Sequence, residues 1–189
     1  PQDQAGDDLY SNNRLDRGHI ARRADLCWGS DYEAQKANRD SFYFTNITPQ
    51  HERFNQSNRN PQVGIWGNLE NAIFDDAQVE GLKVSVMGGP IFTDDDPEYR
   101  GYKIPKSFWK IIYYRDKDNW QVKSKSFVLT QENLLNQLEV LELQDFAVYE
   151  VPVETLSRMT GLGFQDVPKP EAESVAEIRM INDSSEISW

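Results

Sequence analysis

The sequence predicts one α+β domain, on three observations. The 189 residues, 38% of them hydrophobic, suffice for one ordinary core and not for two. Segments of strand composition and segments of helical period both occur, but without the strand-helix alternation that builds a parallel sheet. No apolar run reaches the ~18 residues of a membrane span, so no membrane partner is expected. The first residues, PQDQAGDD, also lack the basic start and apolar stretch of a signal peptide.

Taken in order, PQDQAGDDLYSNN is polar and aperiodic and reads as a lead-in, flexible or ordered only by packing. RLDRGHIARRAD crowds charges around one Gly and one His, and SDYEAQKANRD follows as a short helix. SFYFTNI alternates aromatic and polar residues, as a strand does. In TPQHERFNQ the Thr-Pro step signals a helix start, because Pro at the first helical position gives up an N–H that has no partner there. His51 then reads as a solvent-facing residue of the first turn. After the polar insert SNRNPQVG, IWGNLENAIFDDA sets Ile65, Leu69 and Ile73 on one helical face with Glu70 on its flank.

LKVSVMGGPIF reads as a buried strand ended by its glycines, and TDDDPEYRGYKIP as a surface loop. Asp94, Asp95 and Asp96 lack the spaced ligands of a calcium loop and are expected to be exposed. SFWKIIYYRD and WQVKSKSFVLT are strands that DKDN can join into a hairpin. ENLLNQLEVLEL is helical in composition, VYEVP a short strand, and VETLSRMTGLGF a short helix closed by Gly161 or Gly163. The expected organisation is a domain over 1–167 and an acidic C-terminal extension over 168–189.

The net charge of −11 speaks against a polyanionic partner until it is mapped. Residues 101–125 hold seven Lys and Arg against two Asp, whereas 131–189 hold three against twelve acidic residues. Local field decides where a polyanion docks. Lys103, Lys106 and Lys110 form the best basic stripe, part of it facing solvent. Trp66, Trp109 and Trp120 read as core. Cys27, the one cysteine, cannot form an internal disulfide and reads as a small buried or half-buried residue.

Asp16-Arg17-Gly18-His19 carries the most chemistry. Gly18 permits a sharp turn or a positive φ, a His is suited to proton abstraction near neutral pH, and a neighbouring guanidinium can grip a phosphate in two places. A phosphodiester site and a plain surface turn with a salt bridge both fit four residues. More is carried by the ordered set DRGH, TNITPQ at 45–50, FNQ at 54–56, Trp66 to Glu70 as W-x-x-L-E, GGPIF at 88–92, IPKSFWKIIY at 104–113 and TGLGF at 160–164. This set resembles the DNA/RNA non-specific endonucleases, the ββα-metal (His-Me finger) nucleases that include secreted bacterial nucleases and mitochondrial endonuclease G.

The resemblance implies an antiparallel sheet flanked by helices and Mg²⁺-dependent hydrolysis of DNA and RNA to 5′-phosphate products, with Mn²⁺ as a substitute. It implies His19 as general base, Asn55 as the direct metal ligand, Glu70 holding metal-bound water, Asn46 ordering the loop and Arg17 facing the scissile phosphate. Arg22 and Arg23 are candidates for the substrate backbone. Because SNRNPQVG lengthens the step from FNQ to the helix, Asn58, Asn60 and Asn68 stand as rivals to Asn55. Family members carry strands and a further phosphate-binding Arg upstream of DRGH. With fifteen residues before Asp16, these strands are expected to be missing, or Arg14, Arg22 or Arg23 to substitute. A neutral His19 implies activity falling below a pH of roughly 6. A homodimer, an inhibitor or immunity protein, and a secreted or periplasmic location fit the same resemblance. A catalytically inactive nucleic-acid-binding or interaction module of the same fold is the alternative reading.

Overall fold

Leu15–His19 (β1) pairs antiparallel with Ile47–His51 (β2), His19 opposite Ile47 and Leu15 opposite His51. The structure is a computed structural model and describes residues 4–56, 65–80, 84–115, 119–132, 147–164, 178–182 and 186–187. ITPQH is therefore a strand and not a helix start, while SFYFTNI supplies a turn and a short 3-10 segment at Phe44–Asn46. A two-stranded ribbon explains the difference: Pro49, opposite Arg17, can turn its missing N–H to the unpaired side. The helical signal is delayed to the short α3, Glu52–Asn55. Two earlier helices lie between the strands, Arg23–Leu26 (α1) and the expected Asp31–Asp40 (α2), which Ser30 and Glu33 close with a reciprocal capping box.

The helix expected from IWGNLENAIFDDA is Ile65–Glu80 (α4). It lays Ile65, Trp66, Leu69 and Ile73 against Phe54, Phe108, Ile112, Phe127 and Leu129, so the helical stripe and one face of a sheet share a core. That sheet has five strands, Val84–Ile91 (β3), Ser107–Arg115 (β6), Val122–Thr130 (β7), Ala147–Glu150 (β8) and Arg179–Ile181 (β9), in the order β3-β6-β7-β8-β9 and antiparallel throughout. The β6–β7 hairpin is as expected. On the opposite face Ile91, Trp109, Ile111, Val128 and Val151 pack with Leu156 of Val153–Thr160 (α5), which Gly161 ends at φ 69°. With β1, β2 and the helices after them, this is the α+β, ββα arrangement the motifs implied.

Several expectations change. β3 is a half-exposed edge strand, and Gly88 and Gly89 run inside it rather than ending it. The acidic loop contains a small hairpin, Glu98–Tyr99 (β4) with Tyr102–Lys103 (β5), and Asp96 is buried, accepting from Thr93 and from the Lys106 backbone N–H. Cys27 and Trp120 are exposed. The C-terminal stretch is joined to the fold, since β9 pairs with β8 and Ile181 and Ile187 enter the main core. The lead-in is packed as well: Leu9, in a 3-10 turn at Asp7–Tyr10, is buried with Leu15 and Ile104. From residue 133 on, the expected helix ENLLNQLEVLEL lies outside the described residues.

Gln131 fastens the β1–β2 ribbon to the sheet. Its Oε1 accepts from the His51 backbone N–H at 2.8 Å, and its Nε2 donates to the carbonyls of Pro105 at 2.8 Å and Pro49 at 3.3 Å. His51 is thus buried rather than solvent-facing; its Nδ1 accepts from Arg53 N–H and caps α3, and burial, with Arg14 and Arg53 nearby, pushes its pKa down to about 4. Among the described residues no helix is long and apolar enough to cross a membrane.

Candidate active site

β1 brings the DRGH residues together, and its glycine serves space rather than backbone freedom. Gly18 is not among the positive-φ residues. A Cβ there would lie 2.1 Å from Oε1 of Gln50, which fills the gap from β2 and is fully buried. Neither end of the Gln50 amide has a hydrogen-bond partner among the described residues.

His19 ends β1 with its imidazole half-buried, its ring meeting that of Phe42 edge-on at 4.9 Å between centroids. Burial lowers its pKa, Arg23 lowers it further, and the Arg17 backbone carbonyl opposes both. The neutral imidazole is thus favoured relative to an ordinary histidine. Nε2 is buried with no hydrogen-bond partner among the described residues.

The segment after His19 is held by Asn46. Its Oδ1 accepts from Ala21 N–H at 2.9 Å, and its Nδ2 donates to the carbonyls of Ala21 at 3.0 Å and Ser41 at 2.9 Å. With the amide so engaged, Asn46 ties the segment after His19 to the turn at Ser41. Asn55, the last residue of α3, donates Nδ2 to Asp16 Oδ2 at 2.9 Å, and Gln56 donates to the same oxygen. The donor end of the amide is thereby fixed, and Oδ1 has no hydrogen-bond partner among the described residues.

Glu70 projects from α4, which packs against α3. It is almost wholly buried, and burial pushes its pKa up against the pull of Lys110, whose Nζ donates to Oε1 at 2.9 Å. Asp25 of α1 adds a second, half-buried carboxyl to this cluster; burial raises its pKa, opposed by Arg22 and Lys110. Among the described residues no three His, Cys, Asp or Glu side chains could enclose a metal. No such carboxylate cage is found there, whereas an amide oxygen and a carboxylate on two packed helices are the donor types that suit a cation keeping most of its water.

Arg17 is half-exposed, ion-paired to Asp7 at 2.5 Å and stacked over Tyr10. Arg22 donates Nη2 to Asn71 Oδ1 on α4 at 2.7 Å, and Arg23 is exposed at the start of α1. Lys103 and Lys106 pair with Asp94 and Asp95, so the expected basic stripe is largely neutralised. Of the rival amides, Asn58 and Asn60 lie outside the described residues. Sequence reasoning missed Asp16, Gln50, Asp25 and the buried role of Lys110. Asp16 and Gln50 stand inside quoted motifs, and Lys110 is a lysine within an apolar strand run, which was the available signal.

Residues 1–171 match the profile of a family described as DNA/RNA non-specific endonuclease. The chain is similar to an uncharacterized protein, y4fB, of Sinorhizobium fredii, at 37% identity over 86% of this chain and 26% of that protein. It is also similar to a nuclease of Nostoc, at 28% identity over 92% of this chain and 59% of the relative, and to a nuclease of Serratia marcescens, at 28% identity over 79% and 50%. The chain thus spans about a quarter of the first relative's length and 59% and 50% of the two nucleases.

Proposed function

The chain belongs to the DNA/RNA non-specific endonuclease family, and on that premise we propose that it is a metal-dependent endonuclease that hydrolyses DNA and RNA alike to 5′-phosphate products. Asn55 carries the reading. Asp16 fixes the amide nitrogen, so Oδ1 is the end left for a cation, on a helix packed against the one that bears Glu70. Asn55 would hold Mg²⁺, or Mn²⁺ in its place, with Glu70 on its water shell; such an ion neutralises charge gathering on the phosphate and on the leaving oxygen.

His19 is the group that takes the proton from the attacking water. A half-buried, neutral imidazole is a competent base at pH 7, and Phe42 limits the ring's freedom. Arg17 supplies a guanidinium whose present partner, Asp7, is an exposed carboxylate that a phosphate can replace at small cost. Arg23 and Arg22 stand on the next turn, Arg23 toward solvent and Arg22 braced on Asn71. In this reading they meet the substrate backbone.

The test is incubation of the purified chain with supercoiled plasmid and with structured RNA, in Mg²⁺ or EDTA, beside His19→Ala and Asn55→Ala. Loss of both polymers only with metal is expected, with each variant slower by about 100-fold or more. A folded wild-type chain that cuts neither polymer would overturn the reading. An active Asn55→Ala would move the metal ligand elsewhere.

A further inference from the structure

We propose that Lys110 is a positioning residue of the hydrolytic site, fixing Glu70 by one carboxylate oxygen and tying it to the carbonyl that follows His19. This rests on the reading of Glu70 given above. Lys110 sits in the middle of β6 and is 1% exposed. Its Nζ donates to Glu70 Oε1 at 2.9 Å and to the Ile20 carbonyl at 3.2 Å, and lies 4.0 Å from the centroid of the Trp66 ring. An ammonium has three donors and no acceptor. Here two donors reach oxygens on different elements, and the face of an indole lies on a third side.

The sheet is shaped to admit this side chain. Gly88 is the β3 partner of Lys110, and a Cβ there would stand 2.9 Å from the Trp109 carbonyl, 3.4 Å from Lys110 Cγ and 3.6 Å from Ile20 Cγ2. The glycine thus leaves the lane in which the lysine stem and Ile20 pass. A buried ion pair is a poor source of stability compared with apolar packing, so stability alone does not account for a lysine here. The position of its partners does: one is the carboxylate of the site, the other lies one residue past the base. With Oε1 taken, Oε2 is the Glu70 oxygen left for the reaction, and the clamp sets its distance from the His19 segment.

The test compares Lys110→Met, Lys110→Arg and Glu70→Gln in the full chain. Steady-state kinetics on DNA are combined with backbone amide exchange over residues 19–25 in metal-free protein. Lys110→Met is expected to lower kcat by about 100-fold, as a displaced reacting group does, with KM within about threefold and faster exchange at Ile20 and Ala21. Lys110→Arg keeps the charge but shifts the donors, and is expected to lose about tenfold in kcat at unchanged KM. Undiminished kcat in folded Lys110→Met, beside an inactive Glu70→Gln, overturns the proposal and leaves the nuclease reading intact. A change in KM instead of kcat overturns it too, by making Lys110 a substrate contact. An active Glu70→Gln removes the assigned role of Glu70 itself. Should Lys110→Met fail to fold, Lys110→Arg decides, and undiminished kcat there is the contrary result.

Discussion

Gly18→Ala separates two reasons for a glycine beside the proposed base, His19. If the backbone demanded it, the added methyl would be strained whatever stood nearby, but Gly18 lies in β1 outside the positive-φ residues. If space demanded it, the cost comes from Gln50, whose Oε1, Cδ and Cγ would lie 2.1, 2.3 and 2.6 Å from the new carbon. Comfortable carbon contacts are about 3.5–4.0 Å, so Gln50 or the strand must move by about 1–2 Å, and Gln50 is fully buried. Overpacking of this kind costs about 1–3 kcal/mol, offset by about 0.4–1 kcal/mol from the less flexible unfolded chain. A net loss of about 1–2 kcal/mol lowers Tm by about 2–8 °C in a chain of this size. Thermal unfolding followed by circular dichroism on Gly18→Ala, Gln50→Ala and the double variant reads the coupling directly. The double variant is expected to recover about 1–2 kcal/mol relative to the sum of the single losses. Simple additivity would refute the steric account and return Gly18 to a backbone role.

His51→Asn keeps an acceptor for Arg53 N–H and removes a titrating group. Because the folded imidazole has its pKa pushed down to about 4, its contribution is complete above about 6.5 and is lost as pH falls toward 4; Tm against pH should fall less steeply in the variant, and equal slopes would count against this. Asp16→Ala frees the Asn55 and Gln56 amides, and is expected to lower kcat by about 10- to 100-fold and raise the Mg²⁺ needed for half-maximal rate, with wild-type rates at low Mg²⁺ as the contrary result. His19 is held below 6.5 first by burial and then by Arg23, so Arg23→Gln should move the acid limb of the kcat profile upward; an unmoved limb would show that burial alone sets it. Asp7→Asn releases Arg17 from an exposed pair worth about 0.2–1 kcal/mol, which predicts a KM lower by up to about fivefold at unchanged kcat, and an unchanged KM would mean Arg17 does not meet the phosphate.

What was legible in the sequence was whatever had a local period or a motif. The stripe Ile65, Leu69, Ile73 gave α4, the alternation on either side of DKDN gave β6 and β7, and Gly161 gave the end of α5. Illegible features depended on pairing across distance. ITPQH looked helical because Pro fits a helix start, and only its partner β1 makes it a strand. His51 looked exposed because it is polar, yet Gln131, eighty residues on, pins its backbone N–H inside. The C-terminal end looked like an appendage because it is acidic, but the Arg179 guanidinium meets the buried Glu150 carboxylate and Ile181 reaches the core. At the candidate site, the motifs singled out His19, Asn46, Asn55 and Glu70. They gave no sign that Asp16 holds Asn55, or that a lysine from the sheet holds Glu70.

The distribution of ion pairs also changes how a chain of net charge −11 can accept a polyanion. The basic stretch at 101–125 is not the field it resembles in sequence, because Lys103, Lys106, Lys110 and Lys125 each face a carboxylate. Within four residues of His19 in the sequence stand three guanidinium groups, Arg17, Arg22 and Arg23, of which Arg23 acts on the imidazole and Arg17 is paired to the exposed Asp7. If these three carry the phosphate contacts of the proposed function, the positive field meets about two or three phosphates. Its salt slope on duplex DNA is then about −2 to −3, shallow beside that of proteins making many contacts. Such a grip has no reach along a groove and no base edge to read, and backbone contacts carry no sequence information. Under the proposed function, lack of sequence preference follows from the smallness of that charged footprint, and the acidic surroundings add a repulsion that salt screens at the same time as it weakens the attraction.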